Sequence, residues 1–262
     1  MTPITTSHGR LAGKVAIVTG GGSGFGAGIV HKFVAEGARV LVADINEQAA
    51  FDVAAAFGQA ALGLRVDVAQ AADVRRMMDS AEQHFGRVNI LINNAGVTHL
   101  PQALEDVSEE DFDRIVAVNM KAIYLAMREA VPRMKANAPG VKGIRGVVLN
   151  MASTAGVSPR PRLSWYNASK GWVITATRAN AVELAPQGIR VVALNPVAGE
   201  TTLLKSFMGQ DTPEMRAKFL ASIPIGRFST PEDLANAACF LCSDEASMIT
   251  GVCMEIDGGR CI

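Results

Sequence analysis

Residues 14–38 read KVAIVTGGGSGFGAGIVHKFVAEGA, and this stretch decides the fold. Its first part, KVAIVTG, is a short apolar run with the look of a strand buried on both faces. Its last part, AGIVHKFVAEGA, carries Ile29, Phe33 and Val34 as the apolar face of a helix. Between them lies TGGGSGFG, residues 19–26. Glycines let the backbone turn tightly and approach a ligand closely, and the helix start offers N–H groups and the positive end of a dipole. Gly20, Ser23, Gly24, Phe25 and Gly26 therefore form a candidate cradle for a pyrophosphate. A plain glycine-rich turn is the alternative.

The same alternation continues along the chain. RVLVADI, VNILINNAG, GVVLNMAS, IRVVALNP and CMEIDGG read as further strands, and a third strand is expected to end in RVDVA. Helical patterns lie between them, including DVRRMMDSAEQHF and DRIVAVNMKAIYLAMREAVPRM, the latter expected as one helix. Strands alternating with helices argue for an α/β fold, a single doubly wound parallel sheet of about seven strands covered by helices on both faces. No linker composition and no repeat divides the chain, so residues 11–262 are expected as one domain after a tail at 1–10.

Composition agrees with this. Hydrophobic residues make up 49% of the 262 and aromatics only 5%, which suits layers filled by Val, Ile, Leu and Ala. Lys plus Arg and Asp plus Glu balance at 25 each, so no excess charge points to nucleic acid or an anionic membrane as a partner. The start, MTPITTSHGRLAGKV, lacks the apolar run of a signal peptide, and a cytoplasmic protein is expected. Cys239 and Cys242 form a C-x-x-C inside an apolar helical run, and Cys253 and Cys261 do not complete a zinc spacing. Buried thiols are expected, and no metal.

Two acids qualify the cradle. Asp44 closes the second strand about twenty residues beyond the loop, where a carboxylate accepts the hydroxyls of an adenosine ribose and repels a 2′-phosphate. Ser23, Ile45 and Asn46 supply none of the basic groups a 2′-phosphate needs. NAD is thus expected over NADP. Asp67, followed by Val68, is placed to meet the adenine or else caps its own loop.

Tyr166 precedes Lys170 by four residues in SWYNASKGW, which puts both on one helical face. A cation about 4 Å from a phenol at an effective dielectric of about 20 is worth roughly 4 kcal/mol, or about three pKa units. The lysine is therefore expected to draw the phenol toward the range of a general acid/base, provided the site is closed to water. Tyr124 and Arg128 have the same spacing but lack the same surroundings. Ser153, the last residue of GVVLNMAS, lies at the carboxyl end of its strand, the side on which such sheets collect ligands.

Together these residues resemble the short-chain dehydrogenase/reductase family, whose fold is of the Rossmann kind. The resemblance rests on T-G-x-x-x-G-x-G at Thr19–Gly26, Asn-Asn-Ala-Gly at 93–96, Asn119 in AVNM, Ser153, and Tyr-x-x-x-Lys at 166–170, and it spans the chain from Leu11 onward. It implies that Tyr166 is the acid/base and that Lys170 holds the nicotinamide ribose. It further implies that Ser153 bonds the substrate oxygen and that Asn119 anchors a water leading from Lys170. Asn94, Ala95 and Gly96 would flank the cofactor ribose, the backbone near Phe25 the pyrophosphate, and Thr201 the nicotinamide amide. Here the threonine's motif reads PVAGET, with Val197 where the family has glycine. A homotetramer is also implied.

The substrate side is less specified. Residues 198–228 form a possible lid, in which Leu203, Leu204, Phe207 and Met208 either close over a ligand or pack a surface helix. Arg160 and Arg162 either bind a substrate carboxylate, phosphate or sulfonate, or sit in a solvated turn. The C-terminal half is similar to bacterial 3-oxoacyl-carrier-protein reductases, glucose dehydrogenases and aryl-alcohol dehydrogenases, most of all the last. The expected activity is NAD-dependent interconversion of an alcohol and a ketone or aldehyde, on an aryl or other small apolar alcohol. The alternatives are an NADPH-dependent 3-oxoacyl reductase and a catalytically idle nucleotide sensor.

Overall fold

The computed structural model describes residues 9–201 and 203–262. The expected tail lies outside these up to residue 8. Arg10, its last residue, is docked, donating from its backbone to Glu36 and pairing with Glu245 at 2.8 Å.

Seven strands form one parallel sheet in the order β3-β2-β1-β4-β5-β6-β7. In chain order they are β1 (Val15–Thr19), β2 (Arg39–Asp44), β3 (Ala61–Arg65), β4 (Ile90–Asn93), β5 (Gly146–Met151), β6 (Ile189–Pro196) and β7 (Cys253–Ile256). The chain winds outward from β1 to β3, then returns to place β4 on the other side of β1. That reversal opens a crevice beyond the carboxyl ends of β1 and β4.

Helices α1 (Gly24–Ala35), α2 (Glu47–Ala55) and α3 (Ala71–Phe85) follow the first three strands. After β4 come α4 (Glu109–Ile115) and α5 (Ala122–Ala136), then α6 (Ser164–Leu184) after β5. Two short helices, α7 (Leu204–Met208) and α8 (Pro213–Leu220), precede α9 (Pro231–Cys242). Alternate strand residues face opposite layers. Ile17, Leu41, Leu91 and Val191 meet Met77, Met78, Met134 and Val173 on one face. Val18, Val40, Ile92 and Val192 meet Ile29, Phe33, Leu234 and Leu241 on the other. Cys239 and Cys242 are fully buried in this second layer, and no cluster able to hold a metal exists among the described residues. No helix among them is long and apolar enough to cross a membrane.

Two elements differ from expectation. The third strand is ALGLR rather than RVDVA, pairing Val40 with Ala61 through Asp44 with Arg65, so Asp67 stands two residues beyond its end. Being an edge strand, β3 alternates buried and half-exposed positions and lacks a continuous apolar run. The long helix expected over DRIVAVNMKAIYLAMREAVPRM is interrupted between α4 and α5 by a π turn, Val116–Lys121. Its cause is tertiary: Asn119, at the centre of the turn, is gripped from outside the helix.

Candidate active site

The tips of β1 and β4 are tied together. Thr19 Oγ1 donates to the Ile92 carbonyl at 3.2 Å and accepts from the amides of Asn94 and Ala95 at 3.0 and 3.1 Å. Asn94 Nδ2 donates to the carbonyls of Thr19 and Gly20 at 2.8 and 3.0 Å. The Asn94 amide thus shapes the glycine loop from behind. Gly20 and Gly24 have φ of 62° and 51°, values that disfavour a side chain. A Cβ on Gly26 would lie 2.0 Å from the Gly20 carbonyl oxygen. Ser23 precedes α1 without a side-chain cap, so the first amides of that helix remain available to an anion.

Asp44 stands at the rim of this cradle, with Oδ2 accepting from Gly22 N and Oδ1 from Asn46 N, both at 3.0 Å. Asp67 Oδ1 accepts from Ala69 N at 3.0 Å, so it caps its loop while also lining the cavity beside Val68. Glycines that leave room, uncapped amides and a carboxylate at the end of β2 fit a dinucleotide.

The same cavity runs on to Ser153, Tyr166 and Lys170. Ser153, two residues past β5, accepts from Ala155 N at 3.1 Å through its hydroxyl. Tyr166 and Lys170 lie one turn apart on α6, both buried. Tyr124, by contrast, is 55% exposed against 6% for Tyr166, which separates the two look-alike pairs.

The expected acidification of the phenol is reversed in this geometry. Burial pushes Tyr166 up to about 12, opposed in part by a hydrogen bond with Ser153. Burial pulls Lys170 down to about 8. Its ammonium, 5.8 Å from the centre of the Tyr166 ring, donates instead to the Met151 carbonyl at 2.8 Å. Desolvation is the largest influence on each group.

Asn119 is 1% exposed. Its Nδ2 donates to the Val97 carbonyl and to Ser169 Oγ, at 2.9 and 3.0 Å, while Oδ1 accepts from Val97 N at 2.9 Å. Ser169 in turn donates to the Tyr166 carbonyl at 2.7 Å, linking the π turn to α6. A Cβ on Gly96 would stand 3.5 Å from both Asn119 Oδ1 and Lys170 Nζ, which brackets the two groups around that glycine.

Segment 198–228 divides its apolar residues. Leu204 and Met208 turn inward to a small core with Val197, Phe219, Ile223 and Phe228. Leu203 and Phe207 line the cavity, Phe207 lying 5.1 Å from the Tyr166 ring, centre to centre. Val197 is thus a core residue of this segment. Gly199 bridges to Ser229 and faces Phe25, where a Cβ would come within 2.2 Å of the ring. Thr201 lies against the glycine loop, 3.2 Å from where a Gly24 Cβ would stand.

The two arginines part company. Arg162 is exposed, with φ of 66°. Arg160 lines the cavity, its guanidinium 4.2 Å above the Phe219 ring. Burial, reinforced by Arg260, lowers it to about 10.

Of the residues singled out as cofactor, catalytic or substrate candidates, all line a single cavity except Gly26, Asn119, Arg162, Leu204 and Met208; Leu204 and Met208 pack inward, and Asn119 and Gly26 support the cavity from behind. Thr19, Met151 and Ser169 were not singled out. Only Thr19 left a sequence trace, at the head of the glycine motif.

Residues 20–260 match the model of the family described as enoyl-(acyl carrier protein) reductase. Over 255 residues the chain is 46% identical to a 4-formylbenzenesulfonate dehydrogenase of Comamonas testosteroni, covering 96% of this chain and 99% of that one. It is 38% identical over 253 residues to a 2,5-dichloro-2,5-cyclohexadiene-1,4-diol dehydrogenase of Sphingobium indicum, covering 95% and 97%. Among solved structures, a 3-ketoacyl-(acyl-carrier-protein) reductase from Brucella melitensis complexed with NADH superposes with a TM-score of 0.90. That protein is 51% identical, with 96% of this chain and 100% of that chain covered.

Proposed function

The chain belongs to the short-chain dehydrogenase/reductase family, and from that premise we propose that it oxidises an apolar alcohol, preferably an aryl carbinol, with NAD as cofactor. The relatives it matches are named as dehydrogenases, one of a cyclic diol and one of a formylbenzenesulfonate, which supports an oxidoreductase acting on alcohol or carbonyl groups. The observation that carries the proposal is the burial of Ser153, Tyr166 and Lys170 in the cavity that also holds the glycine cradle and Asp44.

Gly20, Ser23, Gly24, Phe25 and Asp44 would hold the dinucleotide, with Asp67, Val68, Asn94, Ala95, Gly96 and Thr201 around it. When bound, the nicotinamide supplies the hydride acceptor. The chain's residues supply the rest. Ser153 orients the substrate oxygen beside the phenol. Tyr166 exchanges a proton with that oxygen, donating it to the carbonyl in reduction, or accepting it from the alcohol in oxidation as the phenol's own proton passes on toward Lys170 and solvent. Lys170, pulled down to about 8, is poised to pass a proton onward, and Asn119 fixes the backbone at Val97 beside it. Phe207 and Leu203 keep water from the reacting atoms.

NAD over NADP is supported by the Asp44 carboxylate, which would repel a 2′-phosphate. The apolar lining contributed by segment 198–228 and the 4-formylbenzenesulfonate relative support an aryl substrate. We read residues 11–262 as one catalytic unit, acting as a cytoplasmic homotetramer. A 3-oxoacyl reductase is the second reading, favoured by the Brucella structure. An idle sensor has no need of Asn119, Ser153, Tyr166 and Lys170 together.

The test is nicotinamide reduction followed by absorbance, with NAD⁺ and NADP⁺ in parallel and benzylic, sugar and 3-hydroxyacyl alcohols as substrates. Turnover of a benzylic alcohol with NAD⁺, lost in Tyr166→Phe, is expected. Preference for a 3-hydroxyacyl substrate with NADP⁺ would establish the second reading. Full activity in Tyr166→Phe would remove the phenol from the mechanism.

A further inference from the structure

We infer that Arg160 is a substrate-recognition residue: its guanidinium binds a carboxylate or sulfonate carried by the apolar alcohol that enters the cavity. The inference rests on reading this cavity as a dehydrogenase substrate pocket, and it adds the substrate's charge and the residue that reads it.

The first observation is an unmet demand. Arg160 Nη2 is buried and has no hydrogen-bond partner. Among the described residues no carboxylate pairs with Arg160. Its charged neighbour is another cation, Arg260, whose Nε is also buried without a partner. Two guanidiniums held near each other with buried donors unsatisfied are unfavourable unless an anion joins them.

The second observation is position. Arg160 lines the cavity at the end walled by Leu163, Phe207 and Phe219, and Phe207 touches the Tyr166 ring. The guanidinium carbon lies 4.2 Å from the centre of the Phe219 ring. An aromatic ring takes none of the guanidinium's N–H donors as a hydrogen-bond acceptor oxygen would, and Nη2 stays unpartnered. An aromatic or aliphatic body against Phe207, with an anionic group at the Arg160 guanidinium, satisfies both surfaces.

The third observation makes the residue testable. Asn167 Nδ2 grips the backbone carbonyl of Arg160 at 2.7 Å, so the turn is held by a contact that a side-chain substitution leaves in place.

The experiment compares wild type with Arg160→Gln and Arg160→Lys on benzyl alcohol, 4-(hydroxymethyl)benzoate and 4-(hydroxymethyl)benzenesulfonate. Calorimetric binding of benzenesulfonate and of NAD⁺ is measured alongside. Wild type is expected to prefer the anionic alcohols, and Arg160→Gln to lower that preference about 10- to 100-fold, through KM, with partial recovery in Arg160→Lys. Benzenesulfonate affinity should fall in parallel while NAD⁺ affinity holds.

Equal losses on neutral and anionic alcohols, weakened NAD⁺ binding, or a wild type indifferent to charge would overturn the inference while leaving the dehydrogenase reading intact. If no alcohol is turned over, that reading fails. Arg160-dependent binding of benzenesulfonate would then still uphold the anion site, and its absence would remove it.

Discussion

Lys170 sits one helical turn below Tyr166, yet its hydrogen bond goes to the Met151 carbonyl at 2.8 Å and not to the phenol. The ammonium is therefore buried with one partner, and its pKa falls from the ordinary 10.5 to about 8. Between those values the unfolded chain holds more protons than the folded one, so this group makes stability rise with pH across the window.

Below about pH 8 the burial of the charge is felt in full, an order of about 3 kcal/mol from the shift alone. Lys170→Met is expected to gain about 1–3 kcal/mol of stability at pH 7, less the lost Met151 bond, and to gain little near pH 10.5. Urea denaturation at the two pH values measures it. An equal effect at both would mean the charge is not what destabilises.

Tyr166, held up near 12, keeps its proton at neutral pH. Carbonyl reduction should therefore proceed at neutral pH, whereas alcohol oxidation should climb with pH through the Lys170 value near 8. Tyr166→Phe should lower kcat about 10²- to 10⁴-fold in both directions. Rates measured from pH 6 to pH 10 decide this; an oxidation profile falling with pH would contradict it.

Asp44 accepts from Gly22 N at 3.0 Å, and under the proposed NAD preference its charge would also repel a 2′-phosphate. Asp44→Asn keeps an acceptor but removes the charge. The ratio of kcat/KM for NAD⁺ over NADP⁺ should drop by about 10- to 100-fold, mostly through better use of NADP⁺. An unchanged ratio would assign discrimination to another residue.

Asn119 bonds three groups: Val97 N and the Val97 carbonyl, both partly buried, and the buried Ser169 Oγ, which also holds the Tyr166 carbonyl. Asn119→Ala should cost about 2–4 kcal/mol in urea denaturation, mainly through the two Val97 groups left unpaired. A loss under about 1 kcal/mol would show that the π turn relaxes to an ordinary helix without it.

Two glycines should respond oppositely to alanine. At Gly26 the added Cβ meets backbone at 2.0 Å, so Gly26→Ala should disrupt the loop and abolish NAD⁺ binding. At Gly171, inside α6, the nearest atom would be 3.9 Å away. Gly171→Ala is expected to stabilise by about 0.5–1 kcal/mol. Thermal melts and NAD⁺ titration check both.

Much of this was legible beforehand. Runs such as VAIVT and IRVVALNP announce buried parallel strands because most of their positions are apolar in an unbroken stretch, whereas the edge strand β3 alternates buried and half-exposed positions and gives no such run. The glycine loop, Asp44, Ser153 and the Tyr166–Lys170 spacing are local patterns, so sequence exposes them. The π turn at Asn119 is invisible there, because contacts with Val97 and Ser169, 22 and 50 residues away, hold it.

The sequence by itself determined the strand–helix alternation and the glycine-rich loop between β1 and α1, and it brought forward the candidate reactive groups, all of which depend on residues near one another in the chain. The tertiary structure alone decided their electrostatics and the division of labour around them. Burial raised Tyr166 and lowered Lys170 against the simple charge argument. It turned Leu204 and Met208 inward and left Leu203 and Phe207 on the cavity. It also separated Arg160, seated over Phe219 beside Arg260, from the exposed Arg162 two residues on. Desolvation and packing depend on what the whole chain brings alongside each side chain, and no local pattern encodes that.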